Sequence, residues 1–481
     1  MTIQLPPFEP DRASFAPSAS PSVFNALPVR DGWGPFADLS IFTSALPSAC
    51  RGAVSVRTNT GAYKIFAGTE TALYELNNTD YTWTDRTGTT TPAVPSGDSW
   101  WFVLFGDTLI CGNLGTDTQV ININSGTAFA DLAGSPPRSK YAVVAGEYLL
   151  LGHLDGAPRA VQTSGLGDST FWTRGKRGCS RQTFADGGDV QGLIGAENGA
   201  IIAQLNKWRQ LSIAVSGGYS YTTREINPDR GVFAPRSLVQ IGPGQFFYYS
   251  TDGFMVGVEG RPIGAERVDK WFKDQVDTSQ LTAIRAVADP FNKIVWVQAD
   301  QVGSSKILVG YNWQLDRWCP ADIDVTEMLA LATPDVSWDG LATLYTTIDE
   351  VTEPFDSPLF AGGIPRFGAF DTDNKLGLFT GAAREATLET ADIEFNPGWK
   401  TLFQEARVYT DATDFTLQVG TSEFHGGDRT WSSEITPYAA TKACWFNNEG
   451  RLHRLRLKIA EGAAWNHAVG IEERGKRTGK I

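Results

Sequence analysis

Histidine and cysteine are scarce in this sequence, with four and five among 481 residues. The cysteines Cys50, Cys111, Cys179, Cys319 and Cys444 stand singly, so no CxxC pair is available for a zinc ribbon or thioredoxin-like chemistry. Their odd number and wide spacing suit reduced thiols buried as small hydrophobes. His153, His425, His453 and His467 form neither HExxH nor HxH, and no His-built metal site is expected. His453, set among arginines, reads as a surface residue and not as a catalytic base. A GxSxG elbow, a GxxxxGK(S/T) loop and a GxGxxG opening a helix are all missing. The glycines around Gly188 enter a strand and read as a turn. No run of about 18 apolar residues exists, so no membrane span is expected. The start, MTIQLPPFEPDRASFAPSAS, lacks the basic and apolar regions of a secretory signal.

Positive charge is also short. Lys and Arg number 41 against 54 Asp and Glu, a net charge of −13. Residues 451–481 hold eight Lys/Arg and three Asp/Glu, or +5, which leaves −18 on residues 1–450. Tight gripping of a phosphate backbone needs clustered Lys and Arg, so such a chain is unsuited to it. An acidic wall can still surround DNA, because it repels the duplex and lets it slide. Carboxylates are therefore abundant, and propeller glycosidases place theirs at a central channel. Asp155, Asp189, Glu197 and Asp252 are the candidates here, but no motif fixes a pair. The reading is of no enzyme, with no catalytic, cofactor-binding or metal residue and no cofactor. FDTDNKLG, from Phe370 to Gly377, reads as a hairpin turn before a calcium loop.

What the chain has is glycine (50), proline (25), tryptophan (15) and phenylalanine (27), a composition of short strands joined by turns and packed on bulky partners. From Tyr63 a unit recurs: apolar strand, Gly-containing turn, apolar strand. It starts again at Trp100, Tyr141, Val190, Ser237, Leu281 and Glu327, at intervals of 37 to 49 residues. That is close to one four-stranded propeller blade. The fold class is all-β: a β-propeller of about six to eight blades. Tryptophans end several units (Trp83, Trp172, Trp313, Trp318), as if an outer strand packed on the next blade. Val268, Trp271, Phe272 and Val276 lie at helical spacing and predict a short helix between blades. The expected domains are an extended Pro/Ser-rich arm (1–48), with anchors such as Phe24, Trp33 and Phe36, then the propeller (49–385). A C-terminal β-sandwich or platform (386–473) and a flexible basic tail (474–481) complete them. RLHRLRLKI predicts a half-buried strand with Leu452, then Leu455 after a one-residue slip, Leu457 and Ile459 on the apolar side and its basic face in water.

Three stretches stand out: YLLLGHLDGAPRAVQTSGLGDSTFWT, GLIGAENGAIIAQLNKWRQLSIAVSGG and RGVFAPRSLVQIGPGQFFYYSTDGFMVGVEGRPIGAERVDKWF. They resemble the tail hub and nozzle proteins of short-tailed bacteriophages. These include the packaged-DNA stabilization proteins of P22-like phages and, more distantly, the tail tubular B proteins of T7-like phages. The most diagnostic residues run from Asp252 to Val256 and through PIG to Asp269. The resemblance covers the layout of residues 50–470, with its specific residues in 140–275, and nothing in it matches the arm. It implies a structural virion protein, assembled in the host cytoplasm as a ring, expected as a homohexamer, below the portal and its head-to-tail adaptor. Such a ring closes the channel on packaged DNA, which passes without sequence-specific binding, and it holds the tail tip, needle or fibres. No membrane partner is implied. A propeller that binds a receptor or glycan at a tail or baseplate is the other expectation.

Overall fold

The structure is a computed structural model, and it describes residues 2–13, 16, 18–214, 221–242, 244–303, 305–332 and 365–480. Among these residues, seven four-stranded antiparallel sheets form a propeller. Blade 1 runs from Ala53 to Asp85, blade 2 from Trp101 to Asp131, blade 3 from Ser139 to Thr183 and blade 4 from Val190 to Asn227. Blade 5 runs from Val239 to Pro262 and blade 6 from Arg285 to Ala321. The first six recurrent units each coincide with a different blade, and the seventh begins on the first strand of blade 7. The second half of the last unit, from residue 333 on, lies outside the described residues, as do residues 215–220 at the end of the second family-like stretch.

Local chemistry sets the hairpins. In blades 2 and 3 the first two strands meet at Phe105↔Thr108 and Ala145↔Tyr148, across two-residue loops. Gly106 and Gly146 take φ of 60° and 57° there, the left-handed conformation that such tight loops require. The first strand of each sheet lies at the axis, where each touches the first strand of a neighbouring blade, and blade 7 meets blade 1. FDTDNKLG makes the expected hairpin between Arg366–Phe370 and Lys375–Ala383.

Blade 7 corrects the view of the N-terminus as a free arm. Its strands are Glu327–Leu331, Arg366–Phe370, Lys375–Ala383 and, on the outside, Ala37–Ala45. A strand from the start of the chain therefore closes the ring. Residues before it enter the second body, a sandwich of two sheets. One sheet orders Ala26–Val29, Gly32–Pro35, Ala468–Lys480, Trp399–Thr410 and Ala443–Gly450, with Thr2–Gln4 also paired to Ala468–Lys480. The other orders Val23–Phe24, Ala386–Glu389, Leu452–Ile459, Phe415–Ser422 and Thr430–Trp431. The anchors Phe24 and Phe36 and the fully buried Trp33 thus brace the chain itself. The expected basic tail is likewise part of a 13-residue strand. Proline content signalled an irregular segment, but the pairing that orders it spans more than 400 residues, and no local pattern reports that.

One continuous apolar cluster joins the sandwich (Phe403, Val408, Leu417, Leu455) to blades 5 and 6 (Phe254, Trp296, Trp318) through Val23, Trp33 and Phe36. Leu452–Ile459 pairs with Phe415–Ser422 in regular register, so the expected slip does not occur. Position 453 falls on the core face with Leu455, Leu457 and Ile459. The tryptophans also differ from expectation. Trp83 donates from its indole N–H to the Ser44 carbonyl and packs on Phe370, both of blade 7. Trp318 donates to Ile263 and packs on Phe254 of blade 5. Each reaches the preceding blade; recurrence along the chain marks the strand but not the neighbour it faces. The short helix is present as Asp269–Gln275, between blades 5 and 6.

Candidate functional site

The propeller axis is where side chains from several blades converge. At the end where the chain enters each first strand, Arg236, Arg285 and Glu327 form an ionic cluster. Both guanidiniums donate to the Glu327 carboxylate, whose side chain is 5% exposed. Cys50, before blade 1, lies within the field of this cluster, and burial, with the nearby Glu327 charge, pushes its thiol well above the usual range. Tyr141 of blade 3 feels both Asp98 and Arg236, and its buried hydroxyl makes no hydrogen bond. Burial is the larger cause of its raised pKa. The two ion pairs tie the entrances of blades 5, 6 and 7 together at this end.

Toward the opposite end, the first hairpins of blades 2, 3 and 4 border an open cavity of about 880 Å³, lined by Phe102, Val103, Val143, Val144, Glu147 and Glu197 among others. Such a volume suits a small molecule. The first strands of all seven blades carry only two acids, Asp289 and Glu327, so the axial wall is mainly apolar and the acidity lies elsewhere.

The four carboxylates singled out from sequence are dispersed. Asp155 follows the second strand of blade 3 and Asp252 the second strand of blade 5, 3.7 Å from Arg230. Asp189 precedes blade 4 and lies 3.5 Å from Arg159. Glu197 alone borders the open cavity, in the first hairpin of blade 4. No two of them face each other across a shared space. Among the described residues, no group of three or more His, Cys, Asp or Glu is placed to hold a metal ion, and no helix is long and apolar enough to cross a membrane. The five cysteines are buried free thiols.

The family-like residues do come together. Asp269, at the start of the short helix, accepts a hydrogen bond from the Phe254 backbone N–H at 3.2 Å. Its carboxylate fills the space over Gly253 and Gly264, where an added Cβ would lie 2.3 and 2.0 Å from it. The DGF turn and the PIG…D segment are thus halves of one lock between blade 5 and the helix. Burial raises Asp269 from 3.8 to about 6.

His453 is the opposite case and a correction. It is fully buried, with Phe395 and Phe403 rings 5.3 and 5.8 Å away and the backbone of Asn448 and Thr401 beside its ring. Burial lowers its pKa from 6.5 to about 4. The neighbouring arginines suggested solvent, but they occupy the other face of the strand. There Arg454 and Arg456 pair with Glu389 and Arg454 and Arg429 with Asp392, beneath Trp431.

These two groups give opposed pH dependences. The folded chain holds the Asp269 proton longer than the unfolded chain, so stability present below pH 3.8 is lost as pH rises through 6. The unfolded chain protonates His453 first, so stability present above pH 6.5 is lost as pH falls through 4. Each shift is worth about 2–3 kcal/mol. Urea midpoints should therefore stay nearly level between pH 4 and 6. Asp269→Asn is expected to leave a midpoint that rises with pH, and His453→Phe one that falls. Parallel profiles for both variants and the parent would show that neither group titrates in this way.

No family model matches the chain, and no curated protein matches it. Solved structures similar to it include the following three. The extracellular domain of a putative hybrid two-component system from B. thetaiotaomicron has a TM-score of 0.40 and 10% identity, over 82% of this chain and 47% of that one. The chain thus covers less than half of that structure. U3-55K has a TM-score of 0.40 and 12% identity, over 62% and 90%. BamB from Moraxella catarrhalis has a TM-score of 0.38 and 11% identity, over 79% and 99%. Seven four-stranded sheets in a closed ring make this chain an all-β propeller on their own terms.

Proposed function

We propose that this chain is a structural subunit of a bacteriophage tail, the hub or nozzle ring below the portal and its adaptor. Copies form the ring, expected as a hexamer, the genome passes through it, and the tail tip, needle or fibres attach to it. The observation that carries this reading is the lock around Asp269. The residues most diagnostic of the resemblance, from Gly253 and Phe254 to Gly264 and Asp269, are ones on which the geometry of a blade junction depends. The build is also suited to load, since strands within residues 2–4 and 23–45 lace the sandwich and the propeller into one piece. In this reading the DNA path lies between copies and not down one propeller.

Mass photometry and negative-stain imaging of the purified full chain, alone and with an isolated portal–adaptor complex, test the reading. A six-fold ring that caps the adaptor is the expected result. A monomer or trimer that ignores the adaptor and binds cell-surface glycan would overturn it in favour of a receptor-binding propeller.

A further inference from the structure

Ala468–Lys480 is paired along one side with Trp399–Thr410 over its full length, from Thr410↔Ala468 to Trp399↔Lys480. On its other side it meets Gly32–Pro35 only at Trp33↔Ala468, and Thr2–Gln4 only at residues 470–472. Among the described residues, nothing pairs with that side from Arg474 to Lys480. The Leu5 N–H donates to the Val469 carbonyl, so the backbone groups of odd-numbered residues are directed to this side. The N–H and C=O groups of Gly475 and Arg477 consequently face outward, on an edge long enough to accept another strand.

The edge is cationic. Arg474, Lys476 and Arg477 are exposed; the Arg474 side chain is 80% exposed and lies 3.6 Å from the Glu405 carboxylate. Arg477 stacks on Trp399 with its guanidinium carbon 3.9 Å from the ring centroid. We propose that this edge docks a second copy of the chain by strand addition, receiving an extended segment from the acidic part of its neighbour. Residues 1–450 carry −18 against the +5 of residues 451–481, so the rest of the same molecule supplies the complementary charge. Antiparallel pairing of the edge with its own copy would oppose cations to cations, which destabilises a sheet. The contact is therefore head-to-tail, the kind that closes rings when its rotation permits.

This inference rests on the proposed assembly of copies, and one set of variants separates the two. The full-length chain is followed by mass photometry across a concentration series. Arg474→Glu combined with Lys476→Glu is expected to raise the midpoint concentration of assembly about tenfold or more, whereas Lys476→Arg leaves it unchanged. Arg477→Pro, which removes an outward N–H and the Trp399 stack, should act likewise. Backbone hydrogen exchange at Gly475 and Arg477 should slow on assembly in the parent chain. A six-fold ring indifferent to the charge reversal overturns the edge alone. An edge-dependent assembly of another stoichiometry overturns the hub reading alone. A parent chain that stays monomeric overturns both.

Discussion

A chain lacking residues 1–45 is expected not to fold at all. The deletion removes the closing strand of blade 7 and strands from both sheets of the sandwich. It also removes the buried side chains of Leu5, Phe8, Val23, Trp33, Phe36 and Phe42. At about 1.5–3 kcal/mol each, six such side chains contribute about 9–18 kcal/mol, which rivals the whole stability of a typical domain at about 5–15 kcal/mol. Loss of cooperative thermal unfolding, with insoluble expression, is the expected observation. A soluble truncated chain with a native-like circular dichroism spectrum and a sharp transition would refute the closure. Truncation is accordingly no test of whether the N-terminus braces a neighbour, because the segment is already committed within its own molecule.

Glu327→Gln should produce the largest loss among single substitutions. The carboxylate is held by Arg236 before blade 5 and by Arg285 of blade 6, and it belongs to the first strand of blade 7. Removing its charge leaves two guanidiniums facing each other with no counter-ion, and breaking a buried pair in this way costs about 3–5 kcal/mol. Arg285 is already destabilised as a cation, first by burial and then by Arg236, with Glu327 acting in the opposite sense. Denaturant unfolding at neutral pH measures the loss. An effect below about 1 kcal/mol, as for an exposed ion pair, would mean that water reaches the cluster and that it does not knit the ring. Replacing all three residues together by apolar ones should recover much of the loss.

The propeller was legible because its signal is local. An apolar strand, a turn and a second strand recur in successive blades, and Gly106 and Gly146 occupy the turns that need them. The short helix was legible for the same reason, from Val268, Trp271 and Phe272. What local pattern does not carry is partnership. Trp83 and Trp318 announced an outer strand without saying which neighbour it covers. His453 looked solvated because its sequence neighbours are arginines, although alternate residues of a strand face opposite ways. The Pro-rich start looked unattached because its partners lie at the far end of the chain. The ionic cluster on the axis had no signal at all, since Arg236, Arg285 and Glu327 stand 49 and 42 residues apart in no motif. The glycines around Asp269, by contrast, were already among the residues that carried the resemblance.

Thr2–Gln4 pairs with residues 470–472, and this has a consequence for biosynthesis. At about 5–20 residues per second on the ribosome, the stretch between these partners takes on the order of 25–100 seconds to make. The earlier strand must wait all of that time for the later one. Throughout, it presents a bare hydrogen-bonding edge in a crowded cell, a setting for misassembly between nascent chains. Pro6, Pro7, Pro10, Pro21, Pro28 and Pro35 lie in that waiting segment. Because proline cannot donate to a sheet ladder, they keep the segment a poor template for strangers until its own partner is made.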